Sequence, residues 1–80
     1  MTIRVLAFAS ARAAVGARSL ELELPTGATV GAAWARLVAD HPALAGVRTC
    51  ALAVNRSYVE PDTVLREADE LALLPPVSGG

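Results

Sequence analysis

The stretch SLELELPTGATVGAAWARLVADHP, from Ser19 to Pro42, decides the fold. Its first six residues alternate leucine with serine or glutamate, which is typical of a strand with one buried and one charged face. Pro25 ends this strand, and Thr29 has the residue type of a helix N-cap. The residues that follow have helical spacing up to Pro42. One stripe of this helix is expected to face a sheet: Val30, Ala33, Trp34, Leu37, Val38 and His41.

The segment before this stretch is predicted to be a strand, residues 3–9, followed by a connection that turns at Gly16. Side chains alternate between the two faces of a strand, and Arg4 marks its own face as the outer one. Leu6 and Phe8 share the face of Arg4. They are therefore expected to be apolar residues on the exposed side of the sheet.

The segment after the helix contains three shorter predicted strands. Residues 51–54 form an apolar strand, and Asn55-Arg56 forms a turn into a short returning strand at residues 58–59. After the turn Glu67-Ala68-Asp69, residues 70–74 form the last strand. The elements thus follow the order strand, strand, helix, strand, short strand, strand.

This order predicts an α+β domain, with one main helix packed on one face of a mixed sheet of four to five strands. The simplest such packing is the β-grasp, or ubiquitin-like, roll. A ferredoxin-like fold needs a second helix, and residues 63–68 are too short and too polar for it. We therefore predict a β-grasp domain over residues 1–74 and an extended tail over residues 75–80.

Composition excludes several classes of function. The net charge of −1 provides no basic footprint for nucleic acid. The seven cationic residues are all arginine, so no side chain carries a primary amine. A single cysteine, Cys50, excludes an internal disulfide and a four-cysteine zinc site. No apolar run has the length of a signal peptide or a membrane span, and we expect a soluble cytoplasmic protein.

The composition of the tail, residues 75–80, predicts a stiff segment that ends in a narrow tip. Pro75 and Pro76 each fix one φ angle and stiffen the chain as it leaves the last strand. Gly79 and Gly80 form a tip narrow enough to enter a channel that excludes any Cβ atom. Val77 and Ser78 link the two parts.

The reactive group of such a tail is the α-carboxylate of Gly80. A carboxylate is a poor electrophile and needs activation, for instance as a mixed anhydride with AMP. Attack by sulfur then gives a thiocarboxylate, and attack by an amine gives an amide. The side chains offer no convincing catalytic set: His41 is the only histidine, no metal-site pattern is present, and the roles of His41 and Cys50 remain open.

Four segments together resemble the MoaD-like sulfur carriers, the small subunits of molybdopterin synthase. They are the opening strand at residues 3–9, the turn Ala53-Val54-Asn55-Arg56, the acidic turn at residues 67–71 and the ending Leu74-Pro75-Pro76-Val77-Ser78-Gly79-Gly80. The ending is the specific part of the match. Ala68 departs from the family, which usually has glycine in the acidic turn.

The resemblance implies a carrier that is not itself catalytic and holds no permanent cofactor. A ubiquitin-activating-type adenylyltransferase uses ATP and Mg to form a glycyl-adenylate on Gly80, and a sulfur donor enzyme converts it to a thiocarboxylate. The tail, residues 75–80, enters the active sites of these partners. In the large synthase subunit the sulfur passes to cyclic pyranopterin monophosphate and builds the molybdopterin dithiolene. Two small subunits and a large-subunit dimer form the expected heterotetramer, and no nucleic acid or membrane takes part.

The family's partner interface lies on the outer face of the sheet, where this sequence has apolar residues. Leu6 and Phe8 lie there, and Tyr58 and Leu74 extend the patch if the strands pair as in other β-grasp folds. Arg12 and Arg56 are candidates for the rim, although exposed arginines are more often only solvated. The alternative for the whole face is a mixed surface partly covered by loops.

Three other functions remain open at this point. The chain can carry sulfur for another product, such as thiamine thiazole or thiolated tRNA. It can act as a ubiquitin-like modifier that forms amide bonds with target lysines. It can also be a plain interaction domain whose terminal glycines are incidental.

Overall fold

The computed structural model describes residues 1–47 and 51–76. Five strands and two α-helices form in these parts of the chain, with one 3-10 helix between α2 and β3. In chain order the elements are β1 (Thr2–Ala7), α1 (Ala9–Val15), β2 (Ser19–Glu23), α2 (Val30–Asp40), the 3-10 helix (Pro42–Gly46), β3 (Ala51–Val54), β4 (Ser57–Tyr58) and β5 (Glu70–Leu74).

The five strands form one mixed sheet in the order β2-β1-β5-β3-β4. The two strands at its centre, β1 and β5, run parallel, and β2 and β3 pair antiparallel with them on either side. Leu71 and Leu73 of β5 are fully buried and lie opposite Val5 and Ala7 of β1. The predicted α+β class and the β-grasp architecture are therefore confirmed, with five strands.

The inner face of the sheet is covered by α2, as the apolar stripe predicts. Val30, Ala33 and Leu37 of this helix are fully buried. Thr29 caps the helix, because its backbone is extended and its Oγ1 accepts a hydrogen bond of 3.2 Å from the backbone N–H of Ala32. The helix ends at Asp40, and His41 caps it just before Pro42.

The predicted connection between the first two strands is wrong, because it contains α1. The first strand ends at Ala7 rather than at residue 9, and Phe8 becomes the N-cap residue of α1. The segment ASARAAV is rich in strong helix formers, and the buried side chain of Ala11 anchors it to the core. Its seven residues are too few to show a helical period in the sequence. The turn at Gly16 is confirmed, since this residue ends α1 with a φ of 84°.

The turns that flank β5 and β4 use left-handed backbone. Asn55 and Arg56 have φ angles of 49° and 74°, which is the signature of a tight two-residue hairpin turn. The returning strand occupies residues 57–58 instead of 58–59, because this turn brings Ser57 opposite Val54. Ala68 has a φ of 68°, a conformation that costs an L-residue free energy and glycine none.

Candidate functional site

The tail starts from the central region of the sheet. It follows β5, which is hydrogen-bonded to β1 on one side and to β3 on the other. Leu74 pairs with Ala51, and Pro75 is still buried, whereas Pro76 is exposed. Burial therefore extends one residue into the tail, and exposure begins at Pro76, next to a strand that is paired on both sides.

An apolar groove of about 420 Å³ lies at the root of the tail. Two aromatic side chains of its wall are exposed: 46% of Phe8 and 77% of Tyr58. Such exposed apolar surface beside a functional segment is characteristic of a docking site. We call it the tail groove, and it is lined by Phe8, Ala9, Ala51, Tyr58, Leu74, Pro75 and Pro76.

Three separate segments bring the wall of the tail groove together. The backbone N–H of Phe8 donates a hydrogen bond of 3.3 Å to the carbonyl of Leu73, which ties the start of α1 to the end of β5. Tyr58 lies on β4 opposite Ala53. Three of the predicted interface residues, Phe8, Tyr58 and Leu74, are thus neighbours around the tail.

The fourth apolar interface residue, Leu6, does not line the tail groove but belongs to the same outer face. Paired residues of neighbouring strands point their side chains to the same side. Leu6 pairs with Ala72, Ala72 with Ala53, and Ala53 with Tyr58. These residues form one apolar row across the outer face, in which Ala53 is buried, Leu6 and Ala72 are partly exposed and Tyr58 is exposed.

The two arginines considered for the rim lie at different ends of the molecule. Arg12 is exposed on α1, where its backbone N–H donates to the carbonyl of Phe8 at 3.2 Å, so it lies one helical turn from the groove. Arg56 lies in the β3–β4 turn, next to the start of β5 and away from the tail. Only Arg12 is therefore near the tail groove.

A hydrogen-bond network at the opposite end of β5 holds this strand in register. The Nδ2 of Asn55 donates to the Oδ1 of Asp69 at 3.0 Å, and its Oδ1 accepts from the backbone N–H of Glu70 at 3.0 Å. The Oδ2 of Asp69 accepts from the backbone N–H of Arg66 at 2.8 Å. Sequence analysis missed this network. The sequence feature that indicates this network is an asparagine in a turn, a residue type whose side chain often forms hydrogen bonds with nearby backbone groups.

The described side chains include neither a group that could hold a metal ion nor a buried polar residue. In residues 1–47 and 51–76, no three His, Cys, Asp or Glu side chains are grouped so that they could hold a metal ion. No polar or charged residue of these parts is buried. None of their helices has the length and apolar character that crossing a membrane requires. Four predicted tail residues lie outside the described residues: Val77, Ser78, Gly79 and Gly80.

Comparison with known proteins supports the architecture and gives the family. The chain is 42% identical to the molybdopterin synthase sulfur carrier subunit of Chlamydomonas reinhardtii, with 100% of both chains covered. It is also 42% identical to the Arabidopsis thaliana protein of the same name, over 98% of this chain and 82% of that one. The crystal structure of SAMP1 from Haloferax volcanii superposes with a TM-score of 0.91 at 31% identity, over 100% of both chains. A model of the ThiS family matches residues 5–80, and the chain therefore belongs to the ThiS family.

Proposed function

We propose that this chain is a sulfur carrier in molybdenum cofactor biosynthesis. The observation that carries the proposal is the full-length identity of 42% with molybdopterin synthase sulfur carrier subunits. The geometry supports it, because the Gly-Gly tail follows a strand held on both sides and starts beside an exposed apolar groove. The single cysteine of the chain suits a reducing compartment, and we place the carrier in the cytoplasm.

The proposed chemistry takes place on the carboxylate of Gly80. An adenylyltransferase of the ubiquitin-activating type transfers AMP from Mg-ATP to this carboxylate and releases pyrophosphate. A sulfur donor enzyme then delivers sulfur at the oxidation level of sulfide to the acyl carbon, so that a C–S bond forms and AMP leaves. The product is a thiocarboxylate, and the catalytic side chains for both steps belong to the partner enzymes.

The tail groove and the apolar row of the outer face form the proposed docking surface for the large synthase subunit. Phe8, Tyr58 and Leu74 surround the root of the tail, so a partner that covers them also receives the tail. Arg12 lies near the rim of this surface and suits an acidic partner group there. Two carriers on a large-subunit dimer form the proposed heterotetramer, in which the tail delivers sulfur to cyclic pyranopterin monophosphate.

A second candidate function is protein modification. It is favoured by the structural similarity to the Haloferax volcanii protein, which is named a small archaeal modifier protein. A modifier uses the same adenylate but passes the acyl group to a lysine of a target protein.

Sulfur carriage for another product, such as thiamine thiazole or thiolated tRNA, uses the same thiocarboxylate and differs only in the acceptor.

The deciding experiment is an intact-mass measurement after incubation with ATP, Mg, the activating enzyme and a sulfur donor. A carrier gains the mass difference between sulfur and oxygen, and fragmentation assigns the gain to Gly80. Addition of the large subunit and cyclic pyranopterin monophosphate must then return the mass to its starting value. A chain that gains no sulfur in a mixture of proven activity, and instead appears linked to lysines of other proteins, is a modifier.

A further inference from the structure

The complete absence of lysine has a chemical consequence at an activated tail. All seven cationic side chains are arginines, at positions spread along the whole sequence. The guanidinium group stays protonated at any physiological pH and is not a nucleophile. The lysine amine loses its proton far more readily and attacks acyl groups. An acyl-adenylate on this chain therefore meets no amine on the side chains of its own molecule or of a second copy.

The α-amine of Met1, the one other amine of the chain, is hydrogen-bonded to the backbone at a distance from the root of the tail. It donates a hydrogen bond of 2.8 Å to the carbonyl of Leu24, and Met1 packs against the core. Because β1 and β5 are parallel, Met1 lies at the end of the sheet opposite to the root of the tail. The six residues of β1 separate the two ends by roughly 17 Å, at about 3.3 Å per residue, so the tail reaches Met1 only close to its full extended length of about 20 Å.

Arginine, by contrast, lies within easy reach of the tail. The carbonyl of Arg18 accepts a hydrogen bond of 2.9 Å from the N–H of Ala7, which is paired with Leu73. Arg18 is thus two strand spacings, or about 10 Å, from the end of β5. The six tail residues span up to about 20 Å when extended. A lysine at position 18 would therefore lie within the extended length of the tail, measured from the end of β5.

From these observations, and resting on the proposed adenylation of Gly80, we propose that the chain excludes side-chain amines in order to keep its activated tail for sulfur. In the reaction that is avoided, a lysine amine attacks the acyl carbon of the adenylate. A C–N bond forms, the C–O bond to AMP breaks, and a proton is released. The product is an unreactive amide that ends the carrier cycle. The chain is consequently an acyl donor that never accepts its own acyl group.

The test compares wild type with Arg18→Lys and Arg66→Lys. Both substitutions keep the charge at an exposed position, but Arg66 lies beside Asp69 at the start of β5, the end remote from the tail. Each protein is incubated with ATP, Mg and the activating enzyme, without a sulfur donor. Intact mass then follows a monomer lighter by one water, the mark of an internal amide. Hydroxylamine added to a parallel sample traps the adenylate as a hydroxamate. It also cleaves esters and thioesters, so that an internal product which survives it is an amide.

We expect hydroxamate from all three proteins at equal yield. The internal amide should be at least 10-fold more abundant in Arg18→Lys than in wild type and in Arg66→Lys. Equal amide in Arg18→Lys and wild type, with normal hydroxamate, overturns this inference and leaves the proposed function intact. Rapid amide formation at Met1 of the wild type also overturns it. A lack of hydroxamate in all three proteins overturns the proposed function, and this inference with it.

Discussion

Replacement of Phe8 by alanine tests the docking surface directly. Phe8 is 46% exposed, and a phenylalanine offers about 200 Å² of surface, so about 90 Å² remain for a partner to cover. At about 25 cal/mol per Å² this area contributes about 2 kcal/mol to binding. Because each 1.4 kcal/mol changes an affinity about tenfold, Phe8→Ala should weaken binding to the large synthase subunit about 30-fold.

Isothermal titration calorimetry with the purified large subunit measures this loss, and Val64→Ala is the matched control. Val64 is another large apolar side chain with high exposure, 57%, but it pairs with Thr29 at the start of α2 and does not line the tail groove. Its replacement should leave the dissociation constant within about twofold of wild type, as for most surface substitutions. A thermal melt of each variant establishes that the domain is folded.

Two results would refute the reasoning. If Phe8→Ala binds the large subunit with unchanged affinity while its melt shows a folded domain, the tail groove is not part of the interface. If Val64→Ala weakens binding as much as Phe8→Ala does, the loss is not specific to the tail groove, and the assignment of the docking surface to this groove fails.

Three further predictions concern the tail and the two turns that hold β5. Extension of the chain by one residue after Gly80 should reduce sulfur loading, measured by intact mass, to below about 1% of wild type and leave the melting temperature unchanged, because the added residue moves the carboxylate but touches no core residue. A loaded extended protein would contradict the proposed role of Gly80. Ala68→Gly should raise the free energy of unfolding by about 0.5 kcal/mol in urea titrations, since relief of the left-handed φ of 68° exceeds the entropy that glycine adds to the unfolded chain. A loss of stability would show that the turn is not strained. Asn55→Ala should lower the free energy of unfolding by about 2 kcal/mol, because two hydrogen bonds to Asp69 and Glu70 are lost. A change below about 0.5 kcal/mol would mean that solvent replaces both bonds.

The elements with a clear local period were predictable from sequence. The alternation of leucine and glutamate in β2 and the apolar stripe of α2 depend on residues two to four positions apart, and the structure confirms both. The helix α1 was not predictable in this way, because seven alanine-rich residues contain fewer than two full helical periods. Its position depends on burial of Ala11 and on the hydrogen bond between Phe8 and Leu73.

The sequence by itself determined the residue types on which the proposed chemistry depends: a chain without lysine, with one histidine and one cysteine, and with two prolines and two glycines among its last six residues. These are properties of residue types, and folding does not change them. Only the tertiary structure decided where this chemistry is presented. The parallel pairing of β1 with β5 brings Phe8 beside Leu74, and β3 and β4 add Tyr58, so that three distant segments form one groove at the root of the tail. Local sequence patterns do not encode such proximity, because it depends on the order of strands in the sheet.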